Sequence, residues 1–129
     1  MERLPELGTV LVTGAAGFIG SALVRRLKAR GAPRVVSLDA LTYAGDLSRL
    51  EEAGGEPGHR FAQLDVRDLD GVLALLREER PTVVFHLAAE THVDRSIDGP
   101  EAFVQANVVG TARLMEALRR YRDELPAAE

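Results

Sequence analysis

The apolar positions of this chain gather in short, mainly apolar runs, separated by longer stretches in which apolar residues recur at helical spacing. Four runs read as strands: Thr9 to Thr13, Val35 to Leu38, Phe61 to Leu64 and Thr82 to Leu87. Between the first two lies Phe18 to Arg30, with Ile19, Leu23, Val24 and Leu27 on one helical face and Gly31 as its stop. A second helix begins near Leu69, carries Val72, Leu73, Leu75 and Leu76, and stops near Arg80, because Pro81 disfavours its continuation. From Pro100 the pattern is helical for about six turns, and Phe103, Val104, Val108, Ala112, Met115 and Leu118 form a broad apolar stripe. Gly110 interrupts that stripe and marks a place of close packing. Strands alternating with helices predict parallel βαβ units with right-handed crossovers. The expected fold is α/β, a doubly wound parallel sheet with strand order 3-2-1-4 that breaks off after about four strands.

Chemistry enters at the first strand-to-helix turn, VLVTGAAGFIG from Val10 to Gly20. In such a turn Gly14 allows the tight reversal, Gly17 lets a pyrophosphate approach the backbone, and Gly20 lets the helix pack closely on the strand. The N–H groups that open the helix then point at the phosphates. The spacing of these glycines is wider than the commonest fingerprint, and a plain connector is the competing reading of the turn taken alone. Asp39 ends the second strand, 19 residues past Gly20. A carboxylate there can accept hydrogen bonds from ribose hydroxyls and repel a 2′-phosphate, which favours NAD over NADP; an ordinary turn aspartate is the alternative.

Two other positions also read two ways. Asp65 and Val66 follow the third strand: the carboxylate can accept from an adenine amino group while Val66 packs on the ring, or Asp65 joins Asp68 in capping the next helix. His86 lies inside the fourth strand, where a structural role outweighs a catalytic one. That strand runs into Ala88, Ala89, Glu90 and Thr91, small and polar residues at a carboxyl end, where ligands bind in open parallel sheets.

Composition narrows the field further. With 46% hydrophobic and 28% charged residues, the 129-residue chain has the make-up of one globular domain, short for a complete nucleotide-using enzyme. A net charge of −4 gives no basic footprint for nucleic acid, and the arginines are scattered among acids. The absence of cysteine excludes disulfides and thiolate metal sites, and no metal site is expected. No apolar run has the length of a membrane span, and Met1 to Pro5 lacks the apolar core of a signal peptide, so a cytoplasmic location is expected.

Assembled, these stretches resemble the extended short-chain dehydrogenase/reductase superfamily and, within it, the dTDP-glucose 4,6-dehydratases. TGAAGFIGS at Thr13 to Ser21 is similar to the superfamily's cofactor turn and accounts for its glycine spacing. DALTYAGDLSRL at Asp39 to Leu50, LAAETHVDRSIDGP at Leu87 to Pro100 and FVQANVVGT at Phe103 to Thr111 resemble narrower family segments. The resemblance implies a Rossmann-type domain with NAD contacts from Gly14, Gly17, Phe18, Ile19 and Gly20 in the turn, and from Asp39, Ala40, Leu41 and Thr42 at the adenine ribose. It further implies Asp65 and Val66 at adenine, and Leu87, Ala88, Ala89 and Thr91 beside the nicotinamide half. Thr91 replaces the usual serine at a position that also touches substrate, and Ala106 replaces a frequent threonine near the cofactor.

The family's Thr-Asp-Glu strand and Tyr-x-x-x-Lys helix have no counterpart here: Tyr43 is followed four residues on by Leu47, and Tyr121 by Leu125. The resemblance therefore implies an amino-terminal NAD-binding piece with no catalytic residue of its own. Within the whole enzyme it would serve oxidation of a nucleotide-activated hexose at C4, water elimination across C5 and C6, and hydride return to C6. A stand-alone NAD-sensing or partner-binding module and part of a UDP-sugar 4-epimerase are the alternatives. An exposed fourth-strand edge and the Pro100 to Leu125 helix predict a homo-oligomer.

Overall fold

A computed structural model describes residues 4–41, 58–88 and 100–126. They fall into two compact units, the first taking Met1–Leu64 with Pro81–Ala88, the second Asp65–Arg80 with Ala89–Glu129.

The first unit opens with a 3-10 turn, Leu4–Leu7, and strand β1, Thr9–Thr13. Helix α1, Phe18–Ala29, then leads to β2, Arg34–Asp39; β3 spans His59–Gln63 and β4 spans Val83–His86. All neighbours are parallel and the order is β3-β2-β1-β4, as the sequence pattern predicted. Val10, Leu11 and Val12 are fully buried, the mark of a strand covered on both faces. Helix α1 turns Val24 and Leu27 into a cluster with Val10, Val12, Ala15, Ala16, Ala32 and Val35. It stops as its sequence foretold: Gly31 N–H donates to the Lys28 carbonyl and Ala32 N–H to that of Leu27, a Schellman closure whose apolar ends, Leu27 and Ala32, are both buried. Buried Ser37 on β2 is hydrogen-bonded through Oγ to His59 Nε2 of β3 at 2.6 Å.

In the second unit, α2 spans Leu69–Glu79 and α3 spans Pro100–Val104. A π turn at Gln105–Val109 runs into α4, Gly110–Glu124. Asp68 caps α2 by accepting from Gly71 N–H at 3.0 Å, so Asp68→Ala is expected to cost about 1 kcal/mol, read as a lowered midpoint in urea unfolding. Asp65 takes no part in that cap. Helices α2 and α4 pack together, and Arg77 pairs with Glu124 across them.

The apolar stripe expected from Phe103 to Leu118 does not form the buried face of the last helix. Val104, Val108 and Met115 are 47%, 61% and 60% exposed, whereas Gly110, Leu114, Ala117 and Tyr121 are buried. The buried residues of α4 recur at Gly110, Leu114, Ala117 and Tyr121, a regular helical stripe offset from Met115, so the helix packs on a different face from the one its larger aliphatic residues mark. Gly110 does mark close packing, since a Cβ there would lie 2.9 Å from Val66 Cγ2. On the outer surface of α4, Arg119 and Arg120 converge on Glu116 and hold its carboxyl down to about 2.

Candidate functional site

The first unit concentrates its polar chemistry at the carboxyl ends of β1, β2 and β4. At the end of β1, Gly14 adopts φ +67°, and a Cβ there would lie 2.6 Å from the Leu87 carbonyl and 2.7 Å from Ala88 N. Only glycine satisfies both the left-handed backbone and that approach. A Cβ on Gly20 would meet the Gly14 carbonyl oxygen at 2.0 Å, so α1 lies directly on the turn. Gly17 differs from both. Its φ of −76° suits any residue, yet it caps α1 without a side-chain hydrogen bond. The next two side chains, Phe18 and Ile19, are 82% and 69% exposed. The result is an uncapped helix amino terminus with no acidic residue in its first turn, the donor set that an anion such as a pyrophosphate requires.

Asp39 is tied into this turn. Its Oδ2 accepts from Ala16 N–H at 2.9 Å and its Oδ1 from Leu41 N–H at 2.7 Å, while Ala15 N–H donates to the Leu38 carbonyl. Each carboxylate oxygen keeps acceptor capacity for a hydroxyl. Ala40 and Leu41 follow, both half-buried, and Leu41 packs on the core beneath the turn.

On the other flank, the buried Thr13 hydroxyl accepts from Leu87 N–H at 3.0 Å and from Ala88 N–H at 3.2 Å. With both lone pairs used, its own proton must go to His86 Nδ1, 2.7 Å away, which makes His86 a neutral Nε2–H tautomer. His86 is thus structural, and burial pushes its pKa below the ordinary 6.5. The unfolded chain then takes up a proton before the folded one does, so stability falls as pH drops below about 6.5 towards the lowered value. His86→Gln is expected to flatten that acid limb, measured as the urea midpoint between pH 7 and 5.

Gly14, Gly17, Phe18, Ile19, Gly20, Asp39, Ala40, Leu41, Leu87 and Ala88 therefore line one end of the first unit's sheet and its turn. Thr42, Ala89 and Thr91 lie outside the described residues. Asp65 and Val66 belong to the second unit, where Val66 is buried and the Asp65 carboxylate is held by Arg67. That pairing lowers the Asp65 pKa. Thr13 and the Ala16 N–H were not anticipated as site groups; the one available signal was a polar residue ending an otherwise apolar strand beside Gly14.

A parallel sheet with this strand order, a glycine turn into an uncapped helix and a carboxylate ending β2 define a nucleotide-binding Rossmann-type protein. The model of the GDP-mannose 4,6 dehydratase family matches residues 11–127, and the chain belongs to that family. It is 52% identical over 120 residues to a dTDP-glucose 4,6-dehydratase of Xanthomonas campestris pv. campestris (strain B100), covering 93% of this chain and 34% of the relative. Against dTDP-glucose 4,6-dehydratase 1 of Escherichia coli (strain K12) the identity is 46% over 112 residues, covering 87% of this chain and 31% of that one. Among solved structures, the dTDP-glucose 4,6-dehydratase of Streptomyces venezuelae with NAD bound superposes with a TM-score of 0.82 at 41% identity, covering 88% of this chain and 36% of that one. The UDP-glucose 4-epimerase of Thermus thermophilus in complex with NAD gives a TM-score of 0.77, also at 41% identity, covering 88% and 34%. The chain spans about a third of the length of the relatives it matches. No helix among the described residues is long and apolar enough to cross a membrane.

Proposed function

We propose that this chain is the NAD-binding part of a cytoplasmic dTDP-glucose 4,6-dehydratase. The observation that carries the reading is the uncapped α1 terminus behind Gly17, with the Asp39 carboxylate bonded into the same turn. Phe18 and Ile19 would offer N–H groups to the pyrophosphate, and Asp39, Ala40, Leu41 and Thr42 would receive the adenine ribose. Asp65 and Val66 would receive adenine, and Leu87, Ala88, Ala89 and Thr91 would flank the nicotinamide half. When bound, NAD supplies the hydride acceptor for oxidation at C4 of the nucleotide-activated hexose.

Calorimetric titration of the purified chain tests this. NAD is expected to saturate one site per chain, with NADP at least about tenfold weaker, because Asp39 repels a 2′-phosphate. Incubation with dTDP-glucose is expected to yield no 4-keto sugar. Failure to bind NAD overturns the reading. The epimerase likeness supports a second reading, part of a UDP-sugar 4-epimerase, and competition between dTDP- and UDP-sugars on a longer form of the protein separates the two.

Self-association belongs to the same proposal. Phe85 on β4 is 37% exposed, and Val104, Val108 and Met115 present apolar surface. A copy of the chain is expected to cover the β4 edge or the Pro100 to Leu125 helix, and a clean monomer in sedimentation at high concentration would refute this.

A further inference from the structure

Among the described residues, Leu41 and Arg80 alone combine a side chain with a positive φ, at +59° and +52°. Arg80 closes helix α2, where a left-handed residue is the common stop. Leu41 closes no helix. It stands two residues past the start of the turn that ends β2, in a conformation that is costly for any residue with a Cβ and that glycine, asparagine or aspartate adopt more readily.

Two anchors hold Leu41 there. Its N–H donates to Asp39 Oδ1 at 2.7 Å, and its side chain packs on the buried cluster that includes Val12, Ala15 and Ala16. With the N–H aimed at the carboxylate, rotation about the N–Cα bond decides where the side chain goes, and the left-handed value is the one that sets it on that cluster. Strain of this kind persists only where the surroundings over-determine it, and it concentrates at functional sites. The same anchors act on Asp39 in reverse. Oδ2 accepts from Ala16 N–H at 2.9 Å, a bond that by itself leaves the carboxylate able to turn about it. The Leu41 N–H fixes the second oxygen and therefore the plane. That N–H is held only as firmly as the Leu41 side chain is seated, whereas the Asp39 main chain is secured separately, its carbonyl accepting from Leu64 N–H at 3.0 Å.

We propose that Leu41 is a specificity-determining positioning residue. Its side chain, seated on the core, holds its own N–H against Asp39, so that the carboxylate offers both oxygens at fixed positions to the hydroxyls of a ribose and cannot turn aside from a 2′-phosphate. The inference rests on the NAD reading and adds to it the residue that keeps Asp39 rigid. Without the anchor, Asp39 pivots on the Ala16 bond: the paired acceptance of two hydroxyls is lost, and the charge can retreat from a 2′-phosphate. NAD then weakens while NADP does not.

Calorimetric titration of NAD and NADP into wild type, Leu41→Ala, Leu41→Gly and Leu41→Met tests this, with thermal melts confirming that each variant folds. L41A is expected to weaken NAD by about tenfold, the low end of the span for a hydrogen bond to a charged group, and to change NADP by no more than about twofold. L41G takes up the left-handed backbone without its cost, so it keeps the experiment readable where L41A unfolds. It lacks the anchor all the same and is expected to lose the preference for NAD to the same extent. L41M keeps an apolar side chain of similar volume and is expected to recover most of the preference. A purely structural role for Leu41 would weaken both dinucleotides by one factor. If L41A and L41G keep the wild-type ratio or weaken both dinucleotides equally, or if L41M loses the ratio as they do, the inference falls and the NAD reading stands. Wild-type protein that binds NAD and NADP alike has the same consequence, and wild-type protein that binds neither overturns both.

Discussion

Asp39→Ala is expected to abolish measurable NAD binding and to destabilise the first unit by about 2–4 kcal/mol, the sum expected when two backbone donors lose a charged acceptor and one of them is buried. The buried donor is Ala16 N–H and the half-buried one is Leu41 N–H. The carboxylate sits at the end of β2 yet bonds into the loop after β1, so its removal loosens the glycine turn and its own turn together. Asp39→Asn separates charge from shape. An amide retains one acceptor oxygen but turns its –NH2 towards one of the two N–H donors, so it is expected to recover at most half of the lost stability. In both variants the discrimination against NADP is expected to shrink, because the repulsion of a 2′-phosphate depends on the charge. Urea unfolding reports the first effect and paired NAD and NADP titrations report the second. Wild-type stability in D39A would show that the two hydrogen bonds carry no net weight.

Much of this architecture was legible because it rests on local pattern. The unbroken Val10–Val12 run foretold a strand buried on both faces, and Gly31 and Asp68 foretold where α1 stops and where α2 begins. The glycine turn and Asp39 were legible for the same reason, since their residue types answer to backbone needs within about thirty residues. What escaped depends on partners distant in the chain or on helix phase. The Thr13 hydroxyl acquires its role only through the register that sets Thr13 beside His86, 73 residues away. The buried face of α4 escaped because Leu114, Ala117 and Tyr121 recur at helical spacing just as Met115 and Leu118 do, and only the packing partner decides which face is covered. Arg67 escaped because nothing in an Asp-Val-Arg-Asp run says which carboxylate caps the helix and which one the arginine holds; the geometry assigns Asp68 to the first and Asp65 to the second.

Gly14→Ala is expected to be the most damaging single methyl that can be added to the first unit, costing about 3 kcal/mol or more and eliminating NAD binding in whatever fraction still folds. Two independent costs coincide. The left-handed φ of +67° is unfavourable for any residue with a Cβ, and the new methyl would lie 2.6–2.7 Å from backbone atoms of Leu87 and Ala88, which cannot swing aside as a flexible side chain would. Relief requires β4 to move away from β1 at its carboxyl end, and that movement breaks the bonds from Leu87 and Ala88 N–H to the Thr13 hydroxyl. Gly17→Ala is the informative contrast. Its backbone is ordinary and its nearest neighbour, the Gly14 carbonyl oxygen, is 3.2 Å from the added Cβ, so the fold is expected to lose no more than about 1 kcal/mol. NAD affinity should nevertheless fall by about tenfold or more, because the methyl enters the space through which a pyrophosphate reaches the α1 terminus. Thermal melts set beside titrations therefore distinguish a glycine demanded by the fold from one demanded by the ligand. If G17A bound NAD as tightly as wild type, the α1 terminus would not be where the phosphates rest.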